Sequence, residues 1–169
     1  MSLAKRLRSG FTILELLVVV AILGIIAALV MWNYFTAVQR ARQKRTMADM
    51  RSVSVAWEAR ALDVRAYNGA AQTFMYPANS ITYPEIGTML APTYMKLIPQ
   101  NDAWNRPLQF ATDQPLGSSM AATTYAIRSA GRDGVFESSY TLGTTTSFDC
   151  DIVYSNGAFI VYPEGMQGR

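Results

Sequence analysis

The longest uninterrupted apolar run in the chain lies near its N-terminus. From Leu16 through Trp32, 17 consecutive residues carry no charge and no strongly hydrogen-bonding side chain, and no formal charge follows until position 40. A run of this length and composition predicts a membrane-spanning helix. Three cations precede it, and the positive-inside tendency then keeps the N-terminus in the cytoplasm and sends the rest of the chain outward: Lys5, Arg6 and Arg8.

A second helical pattern follows the apolar run. Residues 36–66 contain no Gly or Pro and are rich in Ala, Arg and Met, which favour helix. The membrane helix is therefore predicted to continue without a break as far as Asn68-Gly69, a typical helix-ending pair. One face of this helical half is predicted to pack on the chain's own head domain. Its residues are Met47, Met50, Ser54, Trp57, Ala61 and Val64. Arg60 and the other arginines of this half fall largely outside that face.

From residue 108 onward the pattern changes to short β-rich runs. Residues 70–99 contain four prolines and predict an irregular connection with one short helix near Ile86 to Leu90. Four strands are predicted after it: Leu108 to Ala111, Thr124 to Ser129, Ile152 to Tyr154 and Ala158 to Tyr162.

Asn156-Gly157 stands between the last two of these runs. This dipeptide is the strongest short signal for a two-residue β-hairpin, and the hairpin sets Tyr154 opposite Phe159. Together the elements predict an α+β fold. A long N-terminal helix, half membrane-spanning and half amphipathic, packs on a small antiparallel β-sheet head.

Composition excludes several kinds of site. The chain has no His, so a histidine base and histidine metal ligands are absent, and Cys150 is its single cysteine, so no intrachain disulfide can form. No glycine-rich phosphate-binding motif occurs. We expect no enzymatic activity.

The charges are distributed unevenly along the chain. Three of the 15 Lys and Arg residues lie in the first ten positions, which leaves 12 cations against 12 anions. Residues 40–65 carry seven cations and three anions, whereas residues 66–169 carry five and eight. The basic helix is either a solvated surface or a partner for the acidic head of a neighbouring copy. After position 10 the chain is neutral overall, and its arginines lack interleaved aromatic residues. We therefore expect no nucleic-acid binding.

The start of the apolar run does not suit an ordinary anchor, because Glu15 puts a carboxylate in it and Gly10 directly precedes it. The segment from Lys5 to Glu15 resembles the class III leader and N-terminal helix of type IV pilins and type II secretion pseudopilins. The resemblance implies that a prepilin peptidase cuts after Gly10 and N-methylates Phe11, which makes Glu15 the fifth mature residue. Trp32 departs from the proline that many family members carry.

Residues 94–110 and 129–134 resemble the head of the major pseudopilin, although Ala103 and Asn105 depart from its pattern. In that family the following loop binds calcium. The resemblance implies that calcium (Ca2+) is held here by the Ala130 carbonyl and by Asp133 and Asp151. A longer loop adds Glu137 and Asp149 as rival ligands. The alternative is that Asp133-Gly134 forms a plain turn without metal.

The predicted divisions are a cleaved leader (1–10), a transmembrane and assembly helix (11–35), an amphipathic helical half (36–67) and a periplasmic head (68–169). By resemblance, the chain is a structural subunit of a type II secretion pseudopilus. It would sit in the bacterial inner membrane and polymerise with its own copies. Its other implied partners are the prepilin peptidase, the inner-membrane assembly platform, minor pseudopilins and membrane lipid. The alternatives are an extracellular type IV pilin, major or minor, and a monomeric membrane-anchored binding or sensor domain.

Glu15 carries the prediction about assembly. After cleavage, the Phe11 amine and the Glu15 carboxylate are about 6 Å apart along one helix axis and meet imperfectly within one subunit. A neighbouring helix displaced by about one such step brings its amine to this carboxylate, and charge neutralisation then selects the register. In the alternative interpretation, Glu15 reaches back to the cytoplasmic interface.

Overall fold

A computed structural model describes residues 10–67, 81–114 and 120–163. These contain two α-helices and five β-strands: α1 (Ile13–Val64), α2 (Tyr83–Leu90), β1 (Gln109–Thr112), β2 (Tyr125–Ser129), β3 (Gly143–Thr145), β4 (Ile152–Ser155) and β5 (Ala158–Pro163). The chain divides into two compact units, residues 1–39 and 40–169. The boundaries predicted at 10, 35 and 67 remain predictions.

From Ile13 to Met31 the large apolar side chains of α1 are exposed. Leu14 and Leu29, for example, are 73% and 71% accessible. By length and composition α1 can cross a membrane, as the apolar run predicts. Moving one leucine-sized side chain out of water is favourable by about 1.5–3 kcal/mol. This exposed surface of α1 is therefore more stable against lipid or another protein than in water.

The second unit contains a five-stranded sheet in the order β1-β2-β4-β5-β3. The pairs β1-β2, β2-β4 and β4-β5 are antiparallel, whereas the edge strand β3 pairs parallel with β5. The predicted α+β class is confirmed, and β3 makes the sheet mixed. The sequence did not reveal β3 because its residues, Gly143 to Thr145, include no large apolar side chain and none is buried.

The core of the second unit lies between α1, α2 and the sheet. Trp57 of α1 is fully buried, with its ring centroid 6.2 Å from that of Phe110 and 5.0 Å from that of Tyr125. Ile86 and Leu90 bury one face of α2, the short helix predicted in the connection. The predicted apolar stripe is confirmed from Met47 to Trp57, but Val64 is exposed.

Arg60 is buried rather than outside the packed face as predicted. The packed face of α1 is wider than the apolar pattern indicates, since it also buries Gln43 and Thr46. Burial lowers the pKa of the Arg60 guanidinium, while nearby Tyr94 raises it.

Helix α1 ends at Val64, earlier than the predicted end at Asn68-Gly69, a pair that lies outside the described residues. Arg65 takes a left-handed conformation, with φ of 61°. Beyond it, the Tyr67 amide donates to the Ala122 carbonyl and the Trp57 indole donates to the Tyr67 carbonyl, at 3.1 and 2.9 Å. These contacts tie the chain that follows the helix to α1 and to Ala122, just before β2.

The predicted hairpin is confirmed between β4 and β5. Asn156 and Gly157 both have positive φ, 45° and 85°, as a type I′ turn requires. Tyr154 pairs with Phe159, and their rings lie edge to face with centroids 4.7 Å apart. The turn therefore sets the register that the sequence predicts.

Candidate functional site

The predicted cleavage point lies immediately before α1. Gly10 and Phe11 are both exposed, and a side chain built on Gly10 would meet no atom within 4 Å. The peptide bond between them is thus accessible in the isolated chain. The cations of the predicted leader, Lys5, Arg6 and Arg8, lie outside the described residues.

Glu15 forms a capping box with Thr12 at the start of α1. The Glu15 Oε2 atom accepts hydrogen bonds from the Thr12 amide at 3.0 Å and the Thr12 hydroxyl at 2.9 Å. In return, the Glu15 amide donates to the Thr12 hydroxyl at 3.2 Å. These bonds satisfy groups that a helix N-terminus leaves without intrahelical partners.

Sequence reasoning missed the role of Thr12, although the signal was present. Threonine followed three residues later by glutamate, directly before an apolar run, is the sequence signature of a capping box. The box also holds the Glu15 carboxylate toward the end of the helix where cleavage would create an amine. The Phe11 nitrogen precedes the Thr12 nitrogen by one residue, which is at most about 3.6 Å of chain.

The loop between β2 and β4 contains the predicted calcium ligands. Ala130 is buried directly after β2, and Asp151 is fully buried directly before β4. Asp133 is exposed, and its Oδ1 atom accepts a hydrogen bond from the Val135 amide at 3.0 Å. With Gly134 at φ of 74°, this contact is the turn that Asp-Gly favours.

The two rival ligands make protein contacts. Both oxygens of Asp149 accept hydrogen bonds from Arg132, at 2.7 and 2.6 Å, and these bonds lower the pKa of Asp149. The Glu137 backbone amide donates to Asp151, while burial and then the nearby Glu137 carboxylate raise the pKa of the Cys150 thiol. The described residues include no group of three or more His, Cys, Asp or Glu side chains that could hold a metal ion. No comparison tests calcium binding, which stays a prediction.

Asp151 is the most perturbed carboxylate in this loop. Burial raises its pKa to about 6, although the Glu137 amide, the Tyr140 hydroxyl and the Arg128 guanidinium act in the opposite direction. Its Oδ2 atom accepts hydrogen bonds from the Glu137 amide and the Tyr140 hydroxyl, both at 3.1 Å. Its Oδ1 atom is buried and has no hydrogen-bond partner among the residues that the structure describes.

Asp102 is a second buried carboxylate that sequence reasoning did not single out. It accepts hydrogen bonds from the Ser129 hydroxyl at 2.7 Å and from the Trp104 and Arg106 amides at 2.9 Å each. It therefore joins the two sequence segments, 94–110 and 129–134, that resemble one family head. These contacts make Asp102 a structural residue.

The comparisons with known proteins match a motif at the N-terminus and relatives over most of their length. The prokaryotic N-terminal methylation motif matches residues 5–31. Over 114 residues the chain is 34% identical to the type II secretion system core protein G of Aeromonas hydrophila, which covers 67% of this chain and 79% of that protein. The chain is also 30% identical to the core protein G of Vibrio cholerae serotype O1 over 129 residues. This match covers 76% of this chain and 88% of that protein.

A second kind of relative matches a shorter part of the chain. The type IV major fimbrial protein FimA of Dichelobacter nodosus is 39% identical over 59 residues, which is 35% of this chain and 38% of that protein. No solved structure matches.

Proposed function

The chain belongs to the type II secretion system core protein G family, and from that premise we propose that it is a structural subunit of a secretion pseudopilus. A prepilin peptidase processes it, as the methylation motif indicates. The processed subunits polymerise through their N-terminal helices into a filament that helps to export proteins. The membrane helix holds each subunit in the inner membrane until it is added.

The observation that carries this proposal is the exposed apolar surface of α1 directly behind Gly10 and Phe11. The exposed run from Ile13 to Met31 is stable in lipid before assembly and between neighbouring helices afterwards. A polymer of such helices exchanges lipid contacts for helix contacts without exposing the run to water. The same segment thereby serves as the anchor and as the assembly surface.

Glu15 supplies the register in this proposal. In the isolated chain its carboxylate accepts two hydrogen bonds from Thr12, which lessen the cost of inserting it into the membrane but do not neutralise its charge. After cleavage, the amine of a neighbouring Phe11 is a stronger partner, because opposite charges attract strongly in low dielectric. A neighbour in any other register leaves Glu15 with its capping contacts alone.

The direction of insertion and the further partners follow from the same premise. Lys5, Arg6 and Arg8 favour a cytoplasmic N-terminus, where the peptidase would cut, and hence a periplasmic head. The assembly platform of the inner membrane would add processed subunits to the filament, alongside minor pseudopilins. The head would then decorate the filament surface.

A surface pilus subunit is the second candidate, favoured by the similarity to the fimbrial protein of Dichelobacter nodosus. Deletion of the gene separates the two functions. We expect loss of protein secretion with no loss of visible surface pili, and restoration of secretion by the intact chain. Normal secretion together with lost pili would favour the fimbrial function. Normal secretion and pili in the deletion strain would favour a monomeric anchored domain.

A further inference from the structure

The loop from Ala130 to Asp151 begins and ends beside two paired strands, since Ser129 of β2 pairs with Ile152 of β4. Side chains alternate between the two faces of a strand. Ile127 belongs to the core that includes Trp57, so Arg128 lies on the other face of the sheet, paired with Val153. Both are nevertheless buried, because the loop covers this face.

Arg128 is enclosed by the loop and by β1. Its guanidinium carbon lies 4.2 Å from the ring centroid of Phe136 and 5.8 Å from that of Tyr140. The Nε and Nη2 atoms donate to the Gln109 side-chain oxygen, at 3.1 and 2.5 Å, and Nη1 donates to the Tyr140 hydroxyl. The Arg128 side chain is thus held in one position by β1 on one side and by the loop on the other.

Asp151 lies at the other end of this contact network. Its Oδ2 atom is 4.0 Å from Nη1 of Arg128, and both side chains are at least nine-tenths buried. Tyr140 bridges the two groups, since its hydroxyl accepts from Arg128 and donates to Asp151. A buried carboxylate requires a compensating cation, and within the described residues the guanidinium supplies it.

The contacts of the loop favour an ion pair over a calcium site, although the buried Asp151 Oδ1 atom has no hydrogen-bond partner among the described residues. Arg132 engages both oxygens of Asp149, and the Val135 amide engages one oxygen of Asp133. A divalent cation on Asp151 would lie close to a buried guanidinium and be repelled by it. We propose that Arg128 takes the place of a metal ion in this head: it neutralises Asp151 and closes the loop, so the loop folds without calcium. This proposal is independent of the proposed function.

The first test is hydrogen exchange on the full-length chain in detergent, with calcium or with a chelator. The reporters are the Glu137 amide, which donates to Asp151, and the Arg132 amide, which donates to the Phe148 carbonyl at 2.9 Å. We expect the same exchange rates and the same melting temperature in both conditions. Slower exchange of these amides and a higher melting temperature in calcium would overturn the proposal, because a ligand bound to the native state stabilises it.

The second test replaces the cation itself. Arg128→Met leaves Asp151 without its partner, and we expect a melting temperature lower by roughly 10 °C and faster exchange at Glu137. Arg132→Met is the matched control, since it removes an arginine of the same loop whose ion pair with Asp149 is partly exposed, and we expect it to change both readings much less. An Arg128→Met variant that behaves like this control would overturn the proposal.

A double variant keeps the test valid if Arg128→Met fails to fold. Arg128→Met combined with Asp151→Asn removes the uncompensated charge together with its cation, and we expect it to regain most of the lost melting temperature. A double variant as unstable as Arg128→Met would mean that Arg128 acts through packing alone, and this too would overturn the proposal.

Discussion

Two carboxylates, one at each end of the chain, show how differently the same group is used. Glu15 is exposed, and the hydrogen bonds described for its carboxylate come from Thr12, three residues earlier in the sequence. Asp151 is fully buried, and its hydrogen bonds come from Glu137 and Tyr140, at sequence separations of 14 and 11. The first is held locally at the surface, whereas the second joins distant parts of one loop.

The difference separates assembly from folding. An exposed carboxylate held by one neighbour can exchange that neighbour for a partner on another molecule at little cost. A buried carboxylate cannot lose its partners without a penalty of several kcal/mol. We therefore expect changes at Glu15 to affect the polymer and changes at Asp151 to affect the fold of the subunit.

The largest expected effect is on assembly. Glu15→Ala as the only copy should be inserted and cleaved normally but form no filaments, as measured by shearing or by crosslinking in cells. Glu15→Gln is the informative control, because glutamine also completes a capping box but carries no charge. If charge selects the register, Glu15→Gln fails as well. Filaments formed by Glu15→Gln would mean that the box, not the charge, is what assembly needs.

The next effect is on folding. Asp151→Ala should lower the free energy of unfolding of the full-length chain by about 3 kcal/mol, because it strands a buried guanidinium, and should leave N-terminal processing unchanged. Denaturant unfolding in detergent measures this loss. Asp133→Ala serves as a control that removes only an exposed turn contact, and its midpoint should barely move. Equal losses for the two variants would instead indicate a shared calcium ion.

A smaller effect is expected at Thr12. Thr12→Val removes the hydroxyl of the capping box and should cost about 1 kcal/mol of stability at the start of α1. The Leu16 amide, which donates to the Thr12 carbonyl, should then exchange roughly five times faster. Thr12→Ser retains the hydroxyl and should exchange as the natural chain does. Unchanged exchange in Thr12→Val would show that the box does not stabilise this helix end.

The two regions also differ in how far the sequence predicts them. The capping box of the N-terminal segment lies within one helical turn, so the sequence contains the signal for Thr12 and Glu15, whereas the role of Glu15 in assembly was inferred from the family resemblance and its position. The hairpin at Asn156-Gly157 was predictable for the same reason, since its turn and register are local.

The closure of the C-terminal loop was not predictable in this way. Arg128 is one of many arginines in the chain, and only the pairing of β2 with β4 brings it to Asp151. Likewise, β3 has no apolar alternation of its own and exists because β5 offers it an edge. The structure of the loop and of β3 therefore depends on contacts between residues far apart in the sequence, which a local pattern does not predict.

Mass spectrometry of subunits sheared from native filaments shows whether the processed N-terminal helix builds the filament. We expect a subunit that begins at Phe11 and carries one added methyl group at its N-terminus. Filament subunits that still contain residues 5–10 would contradict this expectation.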